Sequence, residues 1–402
     1  MRILNTTAQK PDSTGSGVYL SELMKGFEKH DAKLAVIYGT VEGETAVFSE
    51  SVERYPVYYS SDNMPFPILG MSDEMPYEST RYRDLTPEMV QCFRNSFGDA
   101  IDKAVSEFKP DVILCHHLYL LTALIREKIQ DIPVYAVCHG TCLRQLKKNP
   151  VEREYIKENV RKIEGFLALH EEQKKEICEL FDVPESKVTV IGTGYNSNVF
   201  NIDPDIRKET SSYRIMFAGK VSHKKGVMSM IKASNLLPDS TDISIAIAGG
   251  AGNREEYDAI VSMAEKSKRK IDFLGKLNQH DLSIELQKSH AFILPSFFEG
   301  LPLVIIEAMA SGLPVICTDL PGIRPWVRKA GLLDHVIFVE PPELVNTDEP
   351  VESTLPGFEE DLKNAMLEIK KVPLPVQEKV KKLSWNGLSD RLYEMFINII
   401  TE

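Results

Sequence analysis

The chain has 402 residues, of which 43% are hydrophobic and 26% are charged, and it carries a formal net charge of -12. This length predicts two domains, each able to bury its own core, and the composition excludes a disordered chain. The acidic balance argues against a protein that holds nucleic acid through a broad basic surface, because neutralising phosphates requires clustered Lys and Arg.

No apolar run approaches the ~20 residues that span a bilayer, and the first residues have no signal-peptide pattern. These features predict a cytoplasmic protein without an integral membrane segment. The six cysteines lie mostly in apolar segments, so we expect reduced core thiols and not a disulfide framework.

Short apolar runs alternate with longer amphipathic stretches, which predicts an α/β fold with parallel sheets. In the first half we predict strands at 1–5, 33–38, 112–115, 134–138 and 165–169, and helices at 18–29, 86–109, 120–128 and 171–181. In the second half we predict strands at 213–218, 243–248, 271–274, 291–295 and 314–317, and helices at 226–235, 255–268, 279–288, 303–310 and 359–371.

Two stretches interrupt this alternation. Residues 40–85 are rich in Tyr, Ser, Pro and Met and weakly periodic, so we expect an elaborated loop region, with a partly disordered insertion as the alternative. The strand–Gly–helix pattern restarts at Tyr213 after a Gly- and Asn-rich loop, which predicts a hinge there. The resulting domains are 1–197 and 198–382, with a final helix in 383–402.

A histidine follows the strand predicted at 134–138. Ligands in open α/β sheets collect outside the carboxyl ends of the strands, so His139 is expected to point toward a ligand. A lone histidine at a strand end is more often structural, which is one alternative. Another is a zinc site from the Cys and His residues of 115–117 and 138–142, although their spacing matches no common zinc pattern.

Basic residues also occur in the first half. Arg144 and Lys148, with Arg81 earlier in the chain, are candidates to bind a small anionic acceptor. The alternative is a solvated charged surface.

The segment 217–226 combines an apolar strand, a basic turn and the start of a helix. The strand ends at Gly219, which permits a tight turn, and Lys220 and Lys225 would lie over the N-terminus of the helix that begins near Gly226. Exposed amides, the helix dipole and two ammonium groups would stabilise the charge on a departing phosphate. A solvated basic turn is the alternative.

The segment 297–314 contains two glutamates. Glu299 lies in a loop before a helix, and Glu307 lies inside that helix among apolar residues. A buried carboxylate is costly without a partner, and the vicinal hydroxyls of a ribose would donate hydrogen bonds to it. Alternatively, Glu307 caps a neighbouring loop or pairs with a lysine. A glycoside hydrolase is disfavoured because about two turns of chain separate the two carboxylates and one of them is expected to be buried in a helix.

Three segments together resemble a known family. Gly219-Lys220…Lys225-Gly226, Glu299…Glu307 and the run at 188–196 look like the motifs of the retaining GT-B glycosyltransferases of family 4, in the same order and spacing. The resemblance covers most of the second half closely, and the first half loosely, at 15–17, 110–113 and 137–141. It implies two Rossmann-like domains that face a cleft, with the last helix packing back on the first domain.

The resemblance also implies roles for residues around the nucleotide. Lys220 and Lys225 would bind the diphosphate, although the family more often has Arg at the first position, so a less rigid phosphate contact is expected. Glu307 would hold the ribose. The backbone at Lys276 and Leu277 would read the base, with uracil favoured.

Further roles concern the sugar and the acceptor. Glu299 would face the donor sugar, surrounded by the amides of Gly300, Leu301 and Leu303. His139 would lie beside the reaction centre and orient groups or stabilise charge there. In the turn before the helix at Val18, Gly15 and Gly17 would approach the phosphates or the acceptor from the opposite domain.

The implied reaction moves a sugar from a nucleoside diphosphate, with UDP-sugars favoured, to an acceptor hydroxyl with retention of configuration. It requires no cofactor and no metal. The expected partners are the donor and an acceptor, with a small soluble molecule favoured over a polysaccharide or glycolipid, and a homodimer is left open. The rival classes are a GT-B sugar-nucleotide epimerase and a non-catalytic subunit that binds sugar nucleotides.

Overall fold

The computed structural model describes residues 1–11, 13–44, 48–72, 75–208, 211–251, 253–299, 301–345 and 349–401. The chain forms two compact units. The first consists of Met1–Thr193 and Trp385–Glu402, and the second consists of Gly194–Ser384. The chain therefore passes from one unit to the other twice. The domain limits placed at 197 and 382 from the sequence stay predictions.

In its described part, the first unit is built on a seven-stranded sheet in the order β3-β2-β1-β6-β7-β8-β9, and neighbouring strands are parallel. The strands of this unit are β1 Arg2–Thr7, β2 Lys33–Val41, β3 Glu53–Tyr59, β4 Leu69–Gly70, β5 Thr80–Arg81, β6 Val112–His116, β7 Val134–Val137, β8 Gly165–Ala168 and β9 Val188–Val190. Of these, β4 and β5 form a separate two-stranded sheet. Its helices are α1 Gly15–Glu28, α2 Pro87–Phe108, α3 Leu120–Lys128, α4 Thr141–Lys148, α5 Arg153–Val160 and α6 Glu171–Phe181.

The second unit, as far as it is described, contains a six-stranded parallel sheet in the order β12-β11-β10-β13-β14-β15. The strands of this unit are β10 Tyr213–Ala218, β11 Ile243–Ala248, β12 Ile271–Gly275, β13 Ala291–Leu294, β14 Val315–Thr318, β15 Val336–Val339, β16 Leu344–Val345 and β17 Glu349–Pro350. Of these, β16 and β17 form a separate two-stranded sheet. The helices are α7 Val227–Asn235, α8 Arg254–Glu265, α9 Gln279–Lys288, α10 Leu303–Ala310, α11 Ile323–Lys329, α12 Leu355–Glu368 and α13 Gln377–Lys381.

The predicted α/β class with two Rossmann-like domains is confirmed by these sheets. The sheet strands carry apolar residues on both faces, because helices cover both faces of a parallel sheet. In β1, Leu4 belongs to the apolar core on one face and Ile3 to the core on the other. Among the described residues, no helix is both long enough and apolar enough to cross a membrane.

The last helix, α14 Trp385–Thr401, packs on α1 against one face of the first sheet. Its buried Leu388, Leu392 and Phe396 join Leu23 and Phe27 of α1 in one core. The prediction that the final helix packs back on the first domain is therefore confirmed.

The expectation of a loop region at 40–85 is wrong in part. β3 pairs with β2 over seven residues and forms an edge of the main sheet. Tyr55, Val57 and Tyr59 of β3 are buried, in the alternation of a strand. Pro56 lies inside this strand, and it is tolerated because an edge strand has one side of its backbone unpaired.

The six cysteines are free thiols. Cys115, Cys138, Cys142 and Cys317 are buried, whereas Cys92 and Cys178 lie on helices with partial exposure. The Sγ atoms of Cys138 and Cys142 are 3.7 Å apart, without a bond between them.

Candidate functional site

A cavity of about 460 Å³ opens in the second unit beside the carboxyl ends of β10 and β11. Five residues predicted to bind the donor line it, namely Gly219, Lys220, Lys276, Leu277 and Glu307. The rest of its wall is mostly small or apolar and comprises Ala218, Ala248, Gly249, Gly250, Ala251, Leu282 and Val304. The structure thus brings together residues that are far apart in the sequence.

Two glycines allow the backbone segments around this cavity to approach closely. A Cβ at Gly249 would lie 1.8 Å from the carbonyl oxygen of Gly219. Gly226 has φ +68°, and a Cβ there would lie 1.9 Å from the carbonyl oxygen of Pro295. Gly226 is also the residue before α7, so the glycine lets the turn that carries Lys225 lie against the end of β13.

Glu307 lies on α10, in the middle of an apolar helix as predicted. Its carboxylate is half-buried in the cavity wall, and within the described part of the chain no side chain donates a hydrogen bond to it. Burial raises the pKa of Glu307 to about 7. A carboxylate without a partner in a confined site can accept hydrogen bonds from the hydroxyl groups of a ligand.

Glu299 has a different environment. Lys225 Nζ and Ser296 Oγ each donate to Glu299 Oε1 at 2.7 Å. The ion pair places Lys225 against the loop before α10. Lys220, in contrast, is exposed at the mouth of the cavity. The two lysines predicted to bind phosphate therefore differ in this structure: Lys225 forms an ion pair with Glu299, whereas Lys220 lines the cavity and is exposed to solvent.

The amides predicted around Glu299 can be followed only in part. Leu303 is the first residue of α10, and Leu301 lies in the preceding loop. The Leu301 side chain is partly buried against the core of the second unit, Leu303 is partly exposed, and neither contributes to the wall of the cavity. Gly300 lies outside the described residues.

His139 of the first unit follows β7, as predicted. Its Nε2 lies 3.2 Å from Nδ1 of His116, the last residue of β6. His117 and Tyr19 contact the His139 ring edge-on, with centroids at 4.8 and 5.1 Å. Burial, together with the neighbouring histidines, holds the pKa of His139 well below its usual range.

The zinc alternative has no support in the described residues, where no group of three or more His, Cys, Asp or Glu is arranged to hold a metal ion.

Gly15 and Gly17 do not lie in a turn before a helix, so that expectation is wrong. Both are inside the first turn of α1, which begins at Gly15 because the Thr14 hydroxyl caps it. The amide of Gly17 donates to Thr14 Oγ1 at 3.1 Å, so this N–H already has a partner. A Cβ at Gly15 would meet nothing within 4 Å.

The three basic residues proposed for an acceptor fall into two places. Arg144 and Lys148 lie one turn apart on α4, and both are exposed. Arg81 lies on β5, and its Nε donates to Asp84 Oδ2 at 2.6 Å. In the described residues, no hydrogen bond or ion pair joins Arg81 to α4.

Two residues of these sites, Ser296 and Gly249, were missed from the sequence, and His116 was considered only as a member of the zinc alternative. Ser296 is a polar residue that follows the apolar strand β13 and precedes Glu299, and this pattern could have identified it. Gly249 and Gly250 follow β11, and a pair of glycines after a strand indicates a close backbone approach. His116 ends β6, next to the strand that precedes His139.

Two family profiles match the chain. Residues 13–199 match the family described as Glycosyltransferase Family 4. Residues 199–344 match the family described as Glycosyl transferases group 1. The two matches together run from residue 13 to residue 344 and cover most of the chain.

Curated relatives match parts of the chain. An uncharacterized glycosyltransferase of Methanocaldococcus jannaschii is 27% identical over 165 residues, which are 39% of this chain and 42% of the relative. O-antigen chain mannosyltransferase B of Escherichia coli is 24% identical over 260 residues, 61% of this chain and 67% of the relative. The chain therefore spans less than half of the first relative and about two thirds of the second.

Solved structures match nearly the whole chain. Sucrose-phosphate synthase from Thermosynechococcus elongatus is similar with a TM-score of 0.69 over 100% of this chain and 99% of that chain, at 13% identity. HepE of Anabaena, solved in complex with UDP and glucose, is similar with a TM-score of 0.62 over 99% of this chain and 100% of that chain, at 13% identity. At this identity the likeness shows the fold, which is GT-B. With both halves matched in order by the family profiles, the chain belongs to the GT-B glycosyltransferases of family 4.

Proposed function

We propose that this chain is a retaining glycosyltransferase that moves a sugar from a nucleoside diphosphate, with UDP-sugars favoured, to the hydroxyl of an acceptor. The observation that carries the proposal is the Glu307 carboxylate in the cavity of the second unit. It has no protein partner among the described residues, and burial raises its pKa. The 2′- and 3′-hydroxyls of a ribose would supply the hydrogen bonds that the fold does not provide.

The remaining roles follow from the position of the ribose. Lys220, exposed at the same cavity as Gly219, would contact the diphosphate. Lys276 and Leu277 line the same cavity, and their backbone would read the base. A uracil fits this proposal because the structurally similar HepE was solved with UDP.

The transferred sugar would lie near Glu299. Lys225 is held by this glutamate, so a donor phosphate would compete for an ammonium group that is already positioned. The loop amides at Gly300, Leu301 and Leu303 would surround the sugar. From the first unit, His139 would orient the sugar, and the first turn of α1 at Gly15 and Gly17 would approach the phosphates or the acceptor.

In the proposed reaction the bond between the anomeric carbon and the diphosphate oxygen breaks, and a bond to the acceptor oxygen forms on the same face. The acceptor proton passes to the departing diphosphate. Ammonium groups would stabilise the charge on that leaving group. The scheme uses no protein base, no cofactor and no metal ion.

For the acceptor we propose a small molecule with an anionic group, which Arg144 and Lys148 on one face of α4 would attract. Arg81 would contribute only if it released Asp84. A polysaccharide or glycolipid acceptor is the second candidate, favoured by the likeness to O-antigen chain mannosyltransferase B.

A donor panel tests the reaction. The full chain is incubated with UDP- and GDP-sugars, and mass spectrometry follows sugar transfer and slow donor hydrolysis. We expect consumption of at least one donor with release of its nucleoside diphosphate. Conversion to an epimeric sugar nucleotide would favour the rival epimerase, and binding without turnover would favour a non-catalytic subunit.

A sharper test of the ribose contact combines Glu307→Ala with removal of a ligand hydroxyl. Wild type is expected to bind UDP about ten times more tightly than 2′-deoxy-UDP, since a hydrogen bond to a charged group contributes about 1.5 kcal/mol or more. Glu307→Ala should bind both ligands with equal, weakened affinity in calorimetry. Unchanged affinity of Glu307→Ala for UDP would refute the ribose assignment.

A further inference from the structure

The contact between His139 and His116 has the geometry of a hydrogen bond between two imidazoles. The rings are inclined by only 14°, and their centroids are 5.4 Å apart. This separation is too large for rings in face-to-face contact, where carbon atoms meet at about 3.5–4 Å. The rings therefore lie side by side, and the 3.2 Å contact between His116 Nδ1 and His139 Nε2 joins their edges.

Neighbouring groups fix both rings in this arrangement. The Tyr19 ring lies edge-on to His139 at 5.1 Å and to His116 at 6.2 Å. Tyr19 is itself fixed, because its hydroxyl donates to the carbonyl of Gly192 at 2.9 Å and its ring contacts Trp385. Burial lowers the pKa of His116 to about 3, so both imidazoles are neutral near pH 7.

Two neutral imidazoles can form this bond in two ways. In the first, His116 Nδ1–H donates to the lone pair of His139 Nε2, and the proton of His139 is on Nδ1. In the second, His139 Nε2–H donates to His116 Nδ1, and the proton of His116 is on Nε2. A neutral imidazole carries one proton, so each arrangement fixes the tautomer of both rings.

The surroundings of His116 decide between the two. His116 is only 2% exposed, and its Nε2 has no hydrogen-bond partner in the described part of the chain. The second arrangement would bury an N–H donor without an acceptor. Orphaned buried N–H groups are rarer than under-satisfied acceptors, so the first arrangement is favoured.

We propose that His116 is a positioning residue that donates its Nδ1–H to His139 Nε2 and thereby fixes His139 as the Nδ1–H tautomer. His139 then offers a hydrogen-bond donor, not a lone pair, on its remaining nitrogen. This donor suits a hydroxyl or ring oxygen of the transferred sugar and cannot accept the acceptor proton. The consequence for catalysis rests on the proposed function, whereas the tautomer does not.

The tautomer can be measured directly in the full chain labelled with ¹⁵N-histidine. Long-range ¹H–¹⁵N spectra distinguish a pyrrole-like from a pyridine-like nitrogen, and the His139→Gln variant assigns the signals. We expect wild-type His139 to carry its proton on Nδ1. A proton on Nε2 would overturn the proposal without any substitution at His116.

Substitutions of His116 test the positioning role. His116→Phe removes the donor, and we expect His139 to become a mixture of tautomers and kcat to fall about tenfold with little change in the KM for the donor. His116→Asn places an amide N–H near the original Nδ1, so it should restore the Nδ1–H tautomer and most of kcat. A His139 tautomer unchanged in His116→Phe would overturn the positioning role.

His117 is the matched control for the spectra. It also contacts the His139 ring, yet edge-on and without a hydrogen bond. Its φ is +79°, a conformation that Asn tolerates well, so His117→Asn is the appropriate variant. It should leave the His139 tautomer unchanged, and a shift as large as that in His116→Phe would contradict the proposal. If the tautomers behave as expected but no variant or wild type consumes a sugar donor, the hydrogen bond stands and the proposed function fails.

Discussion

Glu299 and Glu307 lie close together in the chain, yet the fold treats their charges in opposite ways. Glu299 accepts from Lys225 and Ser296, so its charge is balanced before any ligand binds. Glu307 has no such donor among the described residues, and burial makes its ionisation costly. The first glutamate therefore orders a lysine, while the second is free to respond to a ligand.

The raised pKa of Glu307 predicts how stability depends on pH. A carboxyl that titrates near 4.5 in the unfolded chain and near 7 in the folded chain destabilises the fold progressively between these pH values. Glu307→Gln removes this cost, so its free energy of unfolding should exceed that of wild type at pH 8.5, by at most about 3 kcal/mol. The excess should be smaller at pH 5.5, where the folded carboxyl is protonated. Urea unfolding at the two pH values measures it.

The control for this comparison is Glu265→Gln. Glu265 is exposed at the end of α8, where folding leaves its carboxylate in water. Its substitution should change stability by less than about 0.5 kcal/mol at either pH. An excess for Glu307→Gln that is the same at pH 5.5 and 8.5 would contradict the assigned pKa.

The sequence was sufficient to place Glu307, but it did not show the contact between His116 and His139. Pro302 and Gly312 delimit α10 in the sequence, so a carboxylate among apolar residues was visible there. The contact of His139 depends on β6 lying beside β7 and on the orientation of two rings. Local residue patterns determine neither the order of strands in a sheet nor the rotamer of a side chain.

At the scale of secondary-structure elements, the contact between α1 and α14 depends on one small residue. A Cβ at Gly26 would lie 1.9 Å from Ser389 Oγ and 2.4 Å from Ser389 Cβ. Ser389 Oγ also donates to the carbonyl of Trp385 at 2.8 Å, so the serine is held in place. The two helices therefore meet where only glycine fits.

Gly26→Ala is expected to destabilise the protein by about 1–3 kcal/mol, because an added methyl group forces the helices apart. Ser389→Gly should recover at least half of this loss in the double variant, since it removes the clashing atoms. Chemical unfolding of the two single variants and the double variant forms the cycle.

Gly357→Ala serves as the matched control for this cycle. Gly357 is also helical, and a Cβ there would meet nothing within 4 Å. This substitution should stabilise the protein by about 0.5–1 kcal/mol. Equal effects of Ala at positions 26 and 357 would show that the close approach of α1 and α14 does not limit packing.

The elements that sequence patterns predicted best are the helices and strands of regular period. β10, β11, α9 and α10 begin and end where the sequence predicts them. β3 was missed because Pro56 and the surrounding turn-forming residues mask a two-residue alternation of tyrosines. The family resemblance implied that the final helix packs on the first domain, but it did not identify α1 as the partner, because the period of an apolar face does not show which element covers it.

At the scale of the whole molecule, the two units have separate apolar cores, and the cavity that holds Glu307 lies in the second. A ligand that binds the folded form stabilises it by an amount set by its concentration relative to the Kd. A nucleotide bound in this cavity should therefore stabilise the second unit in particular.

The chain contains two tryptophans, which report on the two units separately. Trp326 lies on α11 of the second unit, and Trp385 begins α14 of the first. In Trp385→Phe the remaining Trp326 reports on the second unit, whose free energy of unfolding in urea should rise by about 2.7 kcal/mol with UDP at a hundredfold excess over its Kd. In Trp326→Phe the remaining Trp385 reports on the first unit, whose free energy of unfolding should rise by less. Equal shifts in the two variants would contradict independent stabilisation of the second unit.

The two passages of the chain between the units have a consequence for the order in which the protein folds during synthesis. Residues 194–384 leave the ribosome as a continuous block, so the second unit can complete its sheet while translation continues. The first unit starts earlier but lacks α14 throughout that time, so the side of α1 that packs against α14 stays uncovered. We therefore expect the half of the molecule that is made first to be finished last, with this side of α1 exposed to solvent in the interval.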